Sequence, residues 1–496
     1  MPREAAAGSM RRIRACIGVM VFVSAAYFFG GAADNQNSRL FAIYAFVEPN
    51  TPDTGTFRID RFCNTNGEPL TVDWARHAGH YYSNKAPGSI WLGSLVYAPL
   101  VYIERALGIA YDSPVFILAN AYVINLGVAA LPLALGAMAM FTLALSMGAA
   151  AGHAVWVALA STLGTLWFPY STQLWGHTTA AALSAMGLTL LKGQEKPTRI
   201  AAAGTLTGLA VCTDYLIGVS ACAATAWLLR ARPRLLLPFI LGALPCVIAL
   251  MAYHTACFGS PLATASQMSN PTMLAEDRAL GLFDSISLPV LWQLTFGFTR
   301  GLFAHCPVLL LAPVGYIYGI RSAPRDSWLW IHALSVGAYF VANASFHGWH
   351  GGLTVGSRYL ICAIPQLALG LALLPWTLKM RWTAGVLSAL SMLNMLAIAA
   401  VNPLAPIVPN PLYGHTYSLL LSGLLTPFTF AVRRLDLHPA WPMLKQFAMW
   451  NWGELLGLDG LMSLLPWLCM LALGAVFIRR ELRAERARDV YIACTI

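Results

Sequence analysis

The sequence predicts an all-α polytopic membrane protein with about 12 transmembrane helices and a large first extracytoplasmic loop. Three observations lead to this prediction. Of the 496 residues, 58% are hydrophobic and only 10% are charged, whereas soluble proteins carry about 25% charged residues. Apolar runs repeatedly reach the roughly 20 residues that cross a bilayer. The basic residues, which give the chain a net charge of +10, lie in short segments between those runs.

The basic segments order the spans along the chain, because short cytoplasmic loops are enriched in lysine and arginine. We place these basic segments on the cytoplasmic side and let the chain change sides at each span. The predicted spans are then 13–31, 115–146, 153–169, 176–191, 200–213, 216–229, 235–255, 305–320, 328–345, 359–377, 383–401 and 458–478. The segments expected outside are 32–114, 256–303 and 402–457. The chain 1–496 is predicted to form one membrane domain, with loops 32–114 and 256–303 on the face of the candidate site.

Two further apolar pieces are expected to lie at the outer interface rather than to cross. The piece 90–107 carries Glu104 and Arg105 near its end, which suits a helix lying at the membrane surface. The piece 417–432 precedes two arginines, and if it crossed, the basic tail after 478 would lie outside, against the positive-inside rule. The first span is expected to remain uncleaved, since no strong cleavage site follows it.

The distribution of charge argues against nucleic acid as a partner, because the basic residues separate spans rather than forming one patch. The ten cysteines lie mostly in apolar runs, and none has the CxxC or Cys/His spacing of a metal site. We therefore expect a multi-pass protein of a bacterial inner (plasma) membrane, surrounded by membrane lipids, with its site facing the periplasm or the exterior.

Three acids of the first outer loop, Asp34, Asp60 and Asp73, are candidate catalytic residues. A carboxylate near the membrane can act as a general base on an incoming hydroxyl or amine. The alternative for each of them is a solvated loop acid, and Asp34, just past the first span, could instead cap the next helix. The residues alone leave open which of the three is the base.

The same loop contains the segment 80–88, His-Tyr-Tyr-Ser-Asn-Lys-Ala-Pro-Gly. A lysine beside a Pro-Gly turn and aromatic residues suits a phosphate headgroup, because the ammonium binds phosphate as a compact charge. The alternative is a lysine that snorkels past an interfacial tyrosine belt. The turn favours Lys85 as a phosphate ligand, with Tyr82 and His80 as substrate-binding neighbours.

Four more polar residues near predicted span ends are candidate substrate ligands, namely Arg358, Arg300, His350 and His177. Arg358 follows a glycine-rich segment, in which the backbone can approach a ligand closely, and arginine can hold a phosphate through paired N–H groups. His347 and His350 are three residues apart, but no acid or cysteine is spaced near them, so they are not predicted as metal ligands.

The order of these motifs resembles the type C integral-membrane glycosyltransferases (GT-C fold), which include protein O-mannosyltransferases and aminoarabinose transferases. The resemblance spans nearly the whole chain through short motifs at 79–88, 258–261, 300–307, 349–352, 356–359 and 451–458.

The resemblance implies a GT-C-like fold and a polyprenyl-phosphate-linked sugar donor at the outer face. It also implies a first-loop Asp as catalytic base, and it assigns the lysine of the Lys-x-Pro region, here Lys85, to the donor phosphate. The Asp-Glu pair that follows the first span in better-known relatives is absent, since Asn35 follows Asp34 here. Asp73 and Asp60 are therefore alternatives to Asp34, and Asp73 is slightly preferred because it is closer to Lys85.

The resulting hypothesis is a glycosyltransferase, a hexosyl- or pentosyltransferase that moves a sugar from the lipid phosphate to a lipid, glycan or protein acceptor. A lipid-linked sugar flippase or secondary transporter is the alternative, although no internal repeat typical of transporters is evident. A polymer ligase or polymerase is a third, chemically close option. No cofactor is required by the sequence, and a divalent metal stays open.

Overall fold

The computed structural model describes residues 2–64, 69–110, 113–193, 195–271, 283–425 and 449–495, which are predominantly helical. Helices up to residue 213 are α1 (Pro2–Ala26), α2 (Asp34–Val47), α3 (Asp60–Cys63), α4 (Gly88–Ala106), α5 (Pro114–Asn125), α6 (Leu131–Ser146), α7 (Ala151–Thr162), α8 (Trp167–Tyr170), α9 (Gly176–Lys192) and α10 (Pro197–Thr213). The π-helical turn Leu126–Ala130 joins α5 to α6 without a break.

Helices after residue 213 are α11 (Gly218–Ala231), α12 (Leu236–Phe258), α13 (Leu288–Thr295), α14 (Leu302–His305), α15 (Leu311–Ser322), α16 (Ser327–Ala344), α17 (Ile364–Ala372), α18 (Leu378–Val401), α19 (Tyr417–Leu421), α20 (Trp452–Leu455) and α21 (Leu465–Thr495). Short 3-10 or π turns separate several of them, at Tyr215–Ile217, Pro233–Leu235, Ala265–Met268, Pro307–Leu310, Arg358–Ala363, Pro411–Thr416 and Gly460–Leu464.

Two small antiparallel strand pairs correct the prediction of an all-α chain. Strand β1 (Phe28–Phe29) pairs with β4 (Trp450–Asn451), and β2 (Trp74–His77) pairs with β3 (His80–Ser83). Both pairs lie in segments that the sequence assigns to outer loops or to the end of the first span. Strands this short carry too little alternation of apolar and polar residues to be read from the sequence.

Within the described residues, four helical stretches are long and apolar enough to cross a membrane: Val115–Ser146, Pro233–Phe258, Leu378–Val401 and Gly460–Glu485. The count of about 12 spans is therefore not confirmed. Several predicted spans are shorter or interrupted here. The predicted span 153–169 corresponds to α7, which ends at Thr162, and the predicted span 305–320 breaks at Cys306 before α15 begins.

The exposed surface of α12 is that of a membrane protein. Large apolar side chains that include Leu237, Leu241 and Ile248 are each more than half exposed. A contiguous apolar face of this kind is rare on soluble monomers, whereas lipid tails cover it at little cost.

The two predicted interfacial pieces have different outcomes. The piece 90–107 is helical, since α4 spans Gly88–Ala106. The piece 417–432 begins as the short helix α19, but residues 426–448 lie outside the described part of the chain. The outer segment 402–457 is therefore described only in part.

Helices α1 and α21 pack against each other in opposite directions. The Arg12 guanidinium lies 2.9 Å from the Glu481 carboxylate, and the Cys16 thiol donates to the Gly474 carbonyl oxygen. The basic segments near residues 12 and 480 consequently lie at the same end of the molecule, as their predicted common side requires.

Close helix packing fixes α10, whose end contributes to the candidate site. A Cβ atom added at Gly204 would lie 2.0 Å from the Phe239 carbonyl oxygen, and one at Gly242 would lie 1.9 Å from the Ala201 carbonyl oxygen. Any side chain at either glycine would push α10 and α12 apart. The two glycines therefore allow the backbone contact that holds α10 in place.

Candidate functional site

Titratable side chains from distant parts of the chain converge in one region, here called the charged cluster. Its members are Arg39 on α2, Asp73 before β2, Lys85 after β3, His177 in the first turn of α9, Asp214 just past α10, and Arg358 at the start of the turn Arg358–Ala363. Four of the ten predicted site residues belong to it: Asp73, Lys85, His177 and Arg358.

The β2–β3 hairpin brings Asp73 and Lys85 together. Its two-residue turn, Ala78-Gly79, has positive φ angles of 49° and 85°, which match the twist that a tight hairpin needs. Trp74 then pairs with Ser83, so the residues just beyond this pair are neighbours. As a result the Lys85 Nζ atom lies 3.0 Å from Asp73 Oδ2.

Both members of this ion pair are largely shielded from water, with side chains 17% exposed for Lys85 and 10% for Asp73. Burial, helped by the charges of Arg39 and Arg358, lowers the pKa of Lys85 to about 8, although Asp73 opposes the shift. Burial alone would raise the pKa of Asp73, but Lys85, Arg358 and Arg39 outweigh it and hold that pKa below its usual value. Asp73 is therefore an ionised carboxylate at neutral pH.

The turn after Lys85 fits closely against the end of α10. A Cβ atom added at Gly88 would lie 2.3 Å from the Thr213 hydroxyl oxygen. Only glycine leaves room for this approach, which places the Lys-Ala-Pro-Gly turn beside Asp214. The motif that the sequence singled out thus positions Lys85 through backbone packing.

His177 and Asp214 form a second pair inside the cluster. The His177 ring nitrogen Nδ1 and the Asp214 carboxylate are hydrogen-bonded, and the other oxygen of Asp214 accepts the Leu216 backbone N–H at 3.0 Å. Burial would raise the pKa of Asp214, but His177, the Leu216 N–H and Arg39 lower it below its usual value. Asp214 therefore stays ionised and fixes the orientation of the imidazole.

Arg39 is a buried cation that the sequence prediction did not include. Its Nε donates to the Ser89 hydroxyl at 3.0 Å, and one terminal nitrogen donates to the Asn35 carbonyl oxygen at 3.0 Å. The other lies 3.1 Å from the position that a Gly176 Cβ would occupy. Burial lowers the pKa of Arg39 to about 10, so the side chain still carries its charge at neutral pH.

Arg358 is held by aromatic faces. Its guanidinium carbon lies 4.5 Å from the ring centre of Trp175 and 4.9 Å from that of Tyr359, and its Nη2 donates to the Tyr359 hydroxyl at 3.1 Å. Its buried Nε has no hydrogen-bond partner in the described part of the chain. A guanidinium held by stacking keeps N–H groups available for an anion.

Three other predicted residues form a separate group where helix α3 meets the hairpin. Asp60 accepts a hydrogen bond from the Tyr81 backbone N–H at 2.6 Å, and its second oxygen lies 2.6 Å from His80 Nδ1. Tyr82 is buried beside Phe258, with ring centres 5.6 Å apart in an edge-to-face arrangement. Asp60 is therefore committed to the hairpin, and Tyr82 packs the hairpin against the end of α12.

Asp34 begins α2 and is exposed. Its carboxylate accepts the Val72 backbone N–H at 3.1 Å, and its carbonyl oxygen accepts the Thr71 hydroxyl. The side chain thus ties the segment that precedes Asp73 to the start of α2. Asp34 thereby supports the position of Asp73, but it does not cap α2, whose N-cap residue is Ala33.

Arg300 and His350 both contact the glycine-rich segment that precedes Arg358. The Arg300 guanidinium, only 1% exposed, donates to the carbonyl oxygens of Gly352, at 2.6 Å, and of Thr354. His350 is exposed, and its Nδ1 accepts the Gly352 backbone N–H at 3.0 Å. These contacts hold the segment whose end carries Arg358, so both residues act here on its backbone.

The cluster carries three cations, Arg39, Lys85 and Arg358, against the two carboxylates Asp73 and Asp214. Desolvated charge needs compensation. The excess positive charge therefore makes this region suited to an anion such as phosphate. The ionised carboxylate of Asp73 lies in the same region.

Sequence reasoning missed Arg39 and Cys362 as members or neighbours of this region. Arg39 stands at the start of the apolar stretch Leu40–Val47, and a charge in such a place is a usable signal. Cys362 lies in the apolar turn Arg358–Ala363 with its ligand atom near those of His177 and Asp214. The sequence places His177 and Asp214 at the outer ends of neighbouring predicted spans, but nothing in it links Cys362 to them.

No protein-family model and no curated protein matches this chain. The solved structures that match it include two crystal structures of ArnT from Cupriavidus metallidurans. The one bound to undecaprenyl phosphate is 15% identical, with a TM-score of 0.47, over 97% of this chain and 78% of that chain. The apo form is 14% identical, with a TM-score of 0.48, over 96% and 78%.

Both structures belong to the family that the sequence motifs resemble.

Proposed function

We propose that this chain transfers a sugar from a polyprenyl-phosphate donor to an acceptor at the outer face of the membrane. One observation carries the proposal. Three cations and an ionised carboxylate are collected, largely shielded from water, in a protein with an exposed apolar surface. A lipid phosphate matches both features, since its headgroup is anionic and its prenyl tail is apolar.

The cations would act on the leaving phosphate. In direct displacement, a bond forms between the acceptor oxygen or nitrogen and the sugar C1 atom. The bond from C1 to the phosphate oxygen breaks, and its electron pair remains on that oxygen. Positive groups held where this charge develops stabilise the transition state. Lys85, Arg39 and Arg358 are suited to this role, and the expected stereochemistry is inversion.

Asp73 is the best placed of the three candidate bases. It is ionised and lies 3.0 Å from the cation that would bind the phosphate. Asp60 is engaged with His80 and the Tyr81 amide, and Asp34 lies at an exposed helix start. A phosphate that draws the Lys85 ammonium toward itself would free the Asp73 carboxylate to take the acceptor proton.

The test uses purified protein in lipid vesicles and a panel of radiolabelled polyprenyl-phosphate sugars. Wild type is compared with Lys85→Ala, and Lys379→Ala serves as control because Lys379 is an exposed lysine at the start of α18. We expect transfer from one donor, lost by about 100-fold or more in Lys85→Ala and retained in Lys379→Ala. Movement of labelled lipid between leaflets without any turnover would overturn the transferase in favour of a flippase.

A further inference from the structure

A second site lies at the edge of the charged cluster, where His177, Asp214 and Cys362 meet. Their ligand atoms, an imidazole nitrogen, a carboxylate oxygen and a thiol sulfur, all lie within 4.8 Å of one another. The three residues come from the first turn of α9, the end of α10 and the turn Arg358–Ala363. We infer that this triad binds a divalent transition-metal ion, with Zn²⁺ as the best match.

The donor set favours zinc over magnesium or calcium. Zinc takes nitrogen, sulfur and carboxylate ligands, usually in a tetrahedron, whereas the harder ions take oxygen ligands. Metal–ligand distances of about 2.0–2.3 Å separate the ligand atoms of a tetrahedral site by roughly 3.3–3.8 Å. The triad reaches this geometry through small side-chain movements, in which His177 and Asp214 exchange their direct hydrogen bond for bonds to the ion.

Two of the three ligands would be anionic. A thiolate at Cys362 adds one negative charge against Zn²⁺, because metals bind cysteine in its deprotonated form, and the Asp214 carboxylate, already part of the charged cluster, supplies the other. Arg39 and Arg358 act electrostatically on His177 and oppose a cation, so the charged thiolate is essential to the site. Cys362 is fully buried, which protects such a thiolate from oxidation.

Three protein ligands leave a tetrahedral ion one position for water or for an oxygen of another ligand. The ion would also fasten the ends of α9 and α10 to the turn that begins with Arg358. Metal binding at this triad does not depend on the proposed transfer reaction, since neither a donor nor an acceptor takes part in it.

The test measures metal binding to the full-length protein in detergent, without any substrate. Metal is removed with a chelator, Zn²⁺ is titrated, and Co²⁺ is loaded in parallel to detect a thiolate-to-cobalt charge-transfer band. We expect one equivalent of Zn²⁺ and the cobalt band in wild type. Because even outer-shell changes weaken metal sites about 10- to 100-fold, Cys362→Ser should weaken binding at least about 100-fold and abolish the band.

Cys306→Ser is the matched control, because Cys306 is also fully buried and belongs to no such ligand group among the described residues. It should keep both the stoichiometry and the cobalt band. His177→Asn should weaken Zn²⁺ binding while the cobalt–thiolate band persists at high Co²⁺. Wild-type protein without stoichiometric Zn²⁺, or an equal loss in Cys306→Ser, would overturn the site.

Discussion

The charged cluster and the Asp60–His80 pair both use acids of the first outer loop, but they differ in burial and in the number of segments they join. In the Asp60–His80 pair, the side chains are 20% and 36% exposed, and both residues belong to the hairpin and the short helix beside it. In the cluster, Asp73 and Lys85 are more shielded and face charges from α2 and from the turn at Arg358. Solvent screens the first pair, whereas each charge in the cluster depends on the others.

The largest expected effect is on sugar transfer, and it compares an acid of the charged cluster with an acid of the Asp60–His80 pair. Asp73→Asn should reduce transfer by roughly 10²- to 10⁴-fold, because an amide cannot take the acceptor proton. Asp60→Asn, measured in the same vesicle assay, should retain most activity. If Asp60→Asn were the inactive variant, the base would be Asp60 of α3 and the assignment of Asp73 would be wrong.

A glycine variant tests the packing that builds the cluster. Gly88→Ala should lower the free energy of unfolding by about 1–3 kcal/mol, because its Cβ would press on Thr213. Gly218→Ala is the control, since a Cβ there meets no atom within 4 Å. Thermal unfolding of both variants in detergent measures the difference, and an equal Tm for the two would contradict close packing at Gly88.

A pH series tests the charge on Lys85. Its pKa is lowered to about 8, so in the free protein the ammonium is present below that pH and lost as the pH rises through it. Donor affinity should be constant near pH 7 and fall above about pH 8, by up to roughly tenfold per pH unit. Lys85→Arg should bind the donor without this fall, because arginine stays charged. Binding of a fluorescent polyprenyl phosphate measures both profiles.

The smallest expected effect lies in the Asp60–His80 pair. His80→Gln should change the free energy of unfolding by less than about 1 kcal/mol, because the hydrogen bond that it alters is partly open to solvent. Transfer should change by less than about fivefold, the kinetic equivalent of that energy. A larger loss of transfer at unchanged Tm would place His80 among the substrate ligands, as the sequence alone suggested.

The sequence predicts part of this site and not the rest, for physical reasons. Lys85 and Asp73 could be paired because only a hairpin separates them. His177 and Asp214 stand at the outer ends of neighbouring predicted spans, but their contact with each other and with Cys362 could not be predicted, since it arises from helix packing at Gly204, Gly242 and Gly88, where the signal is only the absence of a side chain. Apolar runs located the helices, but not where glycines, prolines and 3-10 turns divide them, so the number of predicted spans was not confirmed.

The pairing of β1 with β4, and of α1 with α21, has a consequence for synthesis. The Gly30 N–H, just past β1, donates to the Thr172 carbonyl oxygen, three residues before Trp175. Strand β1, which leads to Gly30, can pair with β4 only when residues 450 and 451 have left the ribosome. Contacts this distant in sequence form slowly. Strand β1 therefore stays unpaired, and the contact of α1 with α21 unformed, while the segments between them are synthesised.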